Sequence, residues 1–136
     1  MKPSVLVTDT HPLVYFITGQ FHKLPKKVKQ AFEAAVEGRS AIFVPVIALW
    51  EMSFLIKAGT LRLSGSLEEH VRERFFAKAI SILDLETEDI LQSHALTFSR
   101  DPFDVLIVAM ALRIDCPLIT GDGIIHAKEP CELFWD

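Results

Sequence analysis

Residues 100–122 read RDPFDVLIVAMALRIDCPLITGD, and this stretch decides the fold. It opens on helix-start chemistry: Asp101 suits the N-cap, Pro102 the first helical position, and Asp104 an acid in the first turn, complementing the positive helix end. Val105 to Leu112 contains no polar residue. A helix over Pro102–Ile114 is therefore predicted to be almost wholly apolar and packed inside. Pro117–Thr120 reads as a short apolar strand that runs out into Gly121-Asp122. A buried helix feeding a buried strand that ends on an acid is one unit of an α/β chain with a parallel sheet.

The same grammar extends toward both ends. Residues 4–8 form an apolar strand stopped by Asp9, and His11–Thr18 a short helix stopped by Gly19. Lys26–Glu37 is predicted as a helix closed by Gly38. Ala41–Val44 reads as a second strand, after which Pro45 opens a helix to about Ala58. Leu67–Ala79 reads as a charged amphipathic helix, with Arg72, Arg74 and Lys78 set against Glu68, Glu69 and Glu73 on its surface. Ser81–Leu85 is a third strand and Thr87–Leu96 a helix capped by Thr87, with Ile90 and Leu91 inside. Glu132–Trp135 offers a fifth strand. The expected fold is a three-layer α/β/α sandwich around a mainly parallel sheet of four to five strands, a single domain over residues 1–136. In such sheets ligands sit at the carboxyl ends of strands, near a topological switch point.

Composition removes several functional classes. Fourteen Lys and Arg stand against 18 Asp and Glu, for a net charge of −4, so there is no global basic footprint for nucleic acid. Half the residues are hydrophobic, which argues against disorder. The longest apolar run, Ala41–Trp50, is too short to span a bilayer, and the N-terminus lacks the pattern of a secretory signal. A soluble cytoplasmic protein with no membrane partner is expected. Cys116 and Cys131 are the only cysteines, which is too few for a disulfide framework or a zinc site, and the five histidines show no ligand spacing.

Four acids stand in the wrong company for solvated charge. Asp9 and Asp122 each follow an apolar strand; read alone, either suits a turn or a cap as well as a site. Glu51 lies about 200° around its helix from Ser53, which with Lys57 marks the polar face, and on a stripe with Ile47, Ala48, Phe54 and Leu55. No lysine or arginine stands three or four positions away. A glutamate aimed at a core must be protonated, paired or bound to a cation, the alternative being an edge residue that snorkels to water. Asp104 stands at the mouth of the apolar helix. If the four converge, two carboxylates about 5 Å apart repel by roughly 3 kcal/mol at an effective dielectric near 20. A hard divalent ion reverses that sign. An all-oxygen donor set selects Mg²⁺ or Mn²⁺, and such ions serve phosphate-ester hydrolysis.

At these residues the sequence resembles the PIN-domain family, and within it the VapC-like ribonuclease toxins of toxin–antitoxin pairs. The likeness is carried by Val7-Thr-Asp-Thr-His11, by Leu49-Trp-Glu-Met52 with Lys57-Ala-Gly-Thr-Leu61, by Arg100-Asp-Pro-Phe-Asp104 with Leu106-Ile-Val-Ala109, and by Leu118-Ile-Thr-Gly-Asp122. It implies a metal-dependent endoribonuclease whose catalytic and metal-binding acids are Asp9, Glu51, Asp104 and Asp122, with Thr120 and Asp101 in support. It also implies an RNA substrate, a cognate antitoxin that inserts near the acids, and a homodimer. Val105 stands where close relatives usually place arginine, and Thr97-Phe-Ser99 where they often carry histidine. Arg100 and Lys57 are candidate substrate contacts, as are Arg62 and the cluster Lys23, Lys26, Lys27 and Lys29. Competing readings are a PIN-like RNA- or protein-binding module without hydrolysis, and a nuclease or phosphatase acting on another phosphate ester.

Overall fold

The computed structural model describes residues 5–75 and 80–136. Its centre is a five-stranded, wholly parallel sheet in the order β3-β2-β1-β4-β5. In chain order the elements are β1 (Val5–Thr8), α1 (Thr10–Ile17), α2 (Lys26–Val36), β2 (Ala41–Pro45), α3 (Val46–Lys57), α4 (Leu67–His70), β3 (Ile80–Leu83), α5 (Thr87–Ser93), α6 (Pro102–Ile114), β4 (Leu118–Ile119), α7 (Gly123–Lys128) and β5 (Leu133–Phe134). Helices cover both faces in a three-layer α/β/α sandwich. Among the described residues no helix is long and apolar enough to cross a membrane.

Strands buried on both faces must read as unbroken apolar runs, and these do. Leu6, Val7, Ile42, Val44, Leu118 and Ile119 are buried, as are Ile107 to Ala111 of α6. Val7 pairs with Phe43 on one side and Leu118 on the other, so β1 lies at the centre of the sheet. From β1 the chain winds outward through β2 and β3, then returns to its other side as β4 and β5. The switch point therefore falls between the carboxyl ends of β1 and β4, directly ahead of Asp9 and Asp122.

Helix α6 starts as its sequence dictates. Asp101 Oδ1 accepts hydrogen bonds from the backbone N–H of Phe103 (2.9 Å) and Asp104 (3.4 Å), with Pro102 in the first turn. The helix ends on Asp115 at φ 54°, a left-handed position that aspartate tolerates better than most residues.

The structure departs from the sequence reading around α4 and α5. The predicted helix over Leu67–Ala79 is one α-helical turn, α4, followed by a π-helical turn over Val71–Phe75; residues 76–79 lie outside the described part of the chain. Of its expected surface pairs, Arg72 Nη2 meets Glu68 Oε1 at 2.7 Å. Helix α5 is capped by Glu86 rather than Thr87, because the Asp89 carboxylate turns back onto the Glu86 N–H at 2.9 Å. It stops at Ser93, and Ile90 and Leu91, expected inside, are exposed.

The inward position of α5 belongs instead to an ion pair. Asp89 has a fully buried side chain, and its Oδ1 accepts from Arg113 Nε of α6 at 2.8 Å. Arg113 also donates to the Asp84 carbonyl at 2.9 Å and lies 3.3 Å from Glu86. Removing one member strands the other without a partner, so Arg113→Met is expected to lower the unfolding free energy by about 3 kcal/mol, measured by urea denaturation.

Candidate active site

The carboxyl ends of β1 and β4 open into a cavity of about 470 Å³, lined by Asp9, Glu51, Asp101, Asp104 and Asp122 together with His11, Pro12, Tyr15, Lys23, Gly121 and Trp135. All four acids singled out in the sequence thus reach one pocket. They arrive from the end of β1, the second turn of α3, the first turn of α6 and the end of β4.

Asp9 is the most constrained of them, at 5% exposure. Its Oδ1 accepts from the Thr10 N–H at 2.8 Å as the cap of α1, and its Oδ2 accepts from Thr120 Oγ1 at 2.7 Å. Burial pushes its pKa above the ordinary value, against the lowering effect of these two bonds. Thr120 is fully buried, and its hydroxyl also accepts from the Asp122 N–H at 3.1 Å, so one side chain ties two acids together. His126 of α7 donates from Nε2 to the Thr120 carbonyl at 2.6 Å and fixes the backbone beneath that relay.

Glu51 is half-buried and, among the described residues, pairs with no lysine. Its Oε1 accepts from Thr10 Oγ1 at 2.6 Å, and burial is the main cause of its raised pKa. The apolar stripe expected beside it divides: Ile47 and Ala48 are in the core, whereas Phe54 is 46% exposed. Asp122 caps α7, with Oδ1 accepting from Ile124 and Ile125 N–H at 3.0 and 2.9 Å, so the cap reading and the pocket reading hold together. Asp101 does the same for α6 while lining the rim.

Asp104 has no such compensation. Every influence on its carboxyl disfavours charge: burial first, then Asp9, Asp101, Asp122 and Glu51, and together they push its pKa up to about 8. This is the electrostatic mark of a site that gathers negative charge. Among the described residues no three His, Cys, Asp or Glu side chains stand in a ready metal-holding arrangement. The donor set itself, carboxylate oxygens with a threonine hydroxyl behind them, suits a hard divalent cation.

The other candidates stand farther off. Arg100 is exposed and does not line the cavity. Lys57 is six residues along α3 from Glu51, about 9 Å of helix rise, and lines a separate hollow with Arg62. Sequence reasoning missed Thr10, Tyr15, His126 and Trp135 as parts of the site. Thr10 sits inside the motif around Asp9 and could have been found there. Trp135 could not, because only the placement of β5 beside β4 brings its indole over Gly121, where a Cβ would come within 2.6 Å of Trp135 Cζ2.

Comparison with known proteins bears on the fold and the family. No curated protein matches the sequence. Among solved structures, the chain is similar to VapBC2 from Rickettsia felis bound to a DNA fragment from their promoter, at 18% identity and TM-score 0.62 over 97% of this chain and 99% of that one. It is also similar to DNA-bound VapBC from Salmonella typhimurium, at 15% identity and TM-score 0.65 over 98% of both chains. At these identities the likeness is one of fold. The family model for the PIN domain matches residues 6–129, nearly the whole chain, and the protein therefore belongs to the PIN domain family.

Proposed function

We propose that this chain is a metal-dependent endoribonuclease and the toxin of a toxin–antitoxin pair. One observation carries the reading: Asp9, Glu51, Asp104 and Asp122, from four separate stretches of sequence, line a single cavity at the switch point of the sheet. Family membership and the fold shared with the VapBC complexes support it.

These four acids would hold Mg²⁺ or Mn²⁺. Such an ion, when bound, offsets charge on phosphoryl oxygens and lowers the pKa of water. The chain supplies orientation and proton transfer. Thr120 fixes the Asp9 carboxylate, and Asp101 shapes the rim. Instead of holding the ion, either Glu51 or Asp122 takes the proton from the attacking water; Glu51 suits the role better, since burial raises its basicity and Oε1 alone is engaged by Thr10.

In this reading the protein works in the cytoplasm, pairs with a second copy of itself and is held inactive by an antitoxin. Trp50 and Phe54, 55% and 46% exposed, lie 5.2 Å apart between ring centroids, and both pack on Phe103, at 5.5 and 6.0 Å. An exposed apolar face of this kind fits burial against the second copy. An antitoxin arginine placed among the carboxylates would inhibit electrostatically.

The test is substrate discrimination. The purified protein is expected to cleave single-stranded RNA in Mg²⁺ or Mn²⁺, to stop on chelation, and to leave single-stranded DNA and a small phosphomonoester intact. Preferred turnover of the phosphomonoester or DNA, or RNA cleavage that persists in chelator, overturns the assignment.

A further inference from the structure

A pocket lined by five carboxylates repels the phosphates it is meant to receive, so something at its edge must draw them in. Among the described residues Lys23 is the one lysine or arginine that lines it. Its ammonium is held in place: Nζ lies 4.9 Å from the centre of the Tyr15 ring, and Tyr15 lines the same cavity. Two other lysines of the same basic run also rest on aromatic rings, Lys27 on Phe134 at 4.6 Å and Lys29 on Phe21 at 4.9 Å, but neither faces the pocket. Lys29 is further engaged by Glu33 at 3.8 Å, whereas no carboxylate pairs with Lys23 among the described residues. A cation over a ring loses less freedom when it meets an anion than a loose surface lysine does. At about 470 Å³ the cavity also has the size of a small-ligand pocket, far more than one ion with its waters needs.

We propose that Lys23, positioned by the face of Tyr15, is a phosphate-binding subsite of the pocket that takes a phosphate flanking the one to be cleaved in a single RNA strand. This rests on the proposed ribonuclease reading. Lys23 is the residue that touches substrate, and Tyr15 acts through it. The aromatic face, rather than the phenol hydroxyl, is what matters.

Binding is measured in the full-length Asp9→Asn protein, so that cleavage does not enter, by fluorescence anisotropy with a short single-stranded RNA in magnesium over a salt series. Lys23→Met is expected to raise Kd about five- to ten-fold and to reduce the slope of log Kd against log salt by about 0.7, the contribution of one single-strand phosphate contact. Tyr15→Leu is expected to weaken binding in the same direction, and Tyr15→Phe to behave like the parent. Arg39→Met, an exposed arginine just ahead of the amino end of β2 and away from the pocket, is expected to change neither quantity. An unchanged slope in Lys23→Met overturns the subsite, and so does an equal loss in Arg39→Met, which would mark a diffuse charge effect. Failure of the unsubstituted chain to cleave RNA while the Lys23 effect persists overturns the ribonuclease reading and leaves the subsite standing.

Discussion

Asp104→Asn is expected to cut RNA cleavage by about three orders of magnitude while the chain stays folded with an equal or higher melting temperature. Activity and stability separate because the carboxylate is placed for function against its own electrostatics. Burial and four neighbouring acids oppose its charge, and among the described residues no favourable contact offsets them. Asparagine keeps the size and has no proton to take up on folding, so the folded state loses the cost of neutralising that carboxylate. The same change removes a donor oxygen from the set that would hold the cation, a loss worth about 4 kcal/mol in a site whose catalysis depends on that charge. Asp9→Asn is expected to behave alike, since the Thr120 hydroxyl can turn to accept from the new amide. Cleavage rate and thermal melting are measured on the same preparations. Full activity in either variant refutes the assignment of these acids, and unfolding in both would make them parts of the scaffold.

The sequence reading reached the acids and the sheet because both are written in local pattern. Strand, acid and capped apolar helix recur at short range, and the switch-point rule then brings the strand ends together without any side-chain detail. What escaped it depends on long-range geometry. Arg113 and Asp89 are 24 residues apart, and nothing near either predicts the other. Helix α7 has only six residues, less than two turns, so no periodicity announces it, and the capping role of Asp122 stayed one of two readings. Ile90 and Leu91 were expected inside on hydrophobicity alone, but the buried ion pair at Asp89 sets the rotation of α5 and turns them to solvent. Lys23 could be seen only as one lysine in a run of four. Its distinction from Lys27 and Lys29 lies in which ring each one rests upon.

In chelator, the protein is expected to lose stability as pH rises from about 4 toward 8, and excess magnesium is expected to remove that loss. Asp104 titrates near 3.8 in the unfolded chain and near 8 in the folded one. Across that interval the folded state holds a proton that the unfolded state has released. Stability rises with pH only where the unfolded state binds more protons, and here it binds fewer, so the slope is negative. The stabilisation is complete below the unfolded pKa and gone above the folded one. Asp9 and Glu51, also raised by burial, act with the same sign. One proton corresponds to a slope of about 1.4 kcal/mol per pH unit, and solvent reaching the half-buried Asp104 brings the observed value below that. Asp104→Asn should flatten the profile. A cation that binds the ionised acids of the folded state alone adds stability where they are charged, so its effect grows with pH. Urea midpoints across this interval, with chelator and with magnesium, provide the measurement. A flat profile for the unsubstituted chain, or an Asp104→Asn profile parallel to it, would show that these carboxyls do not share one pocket.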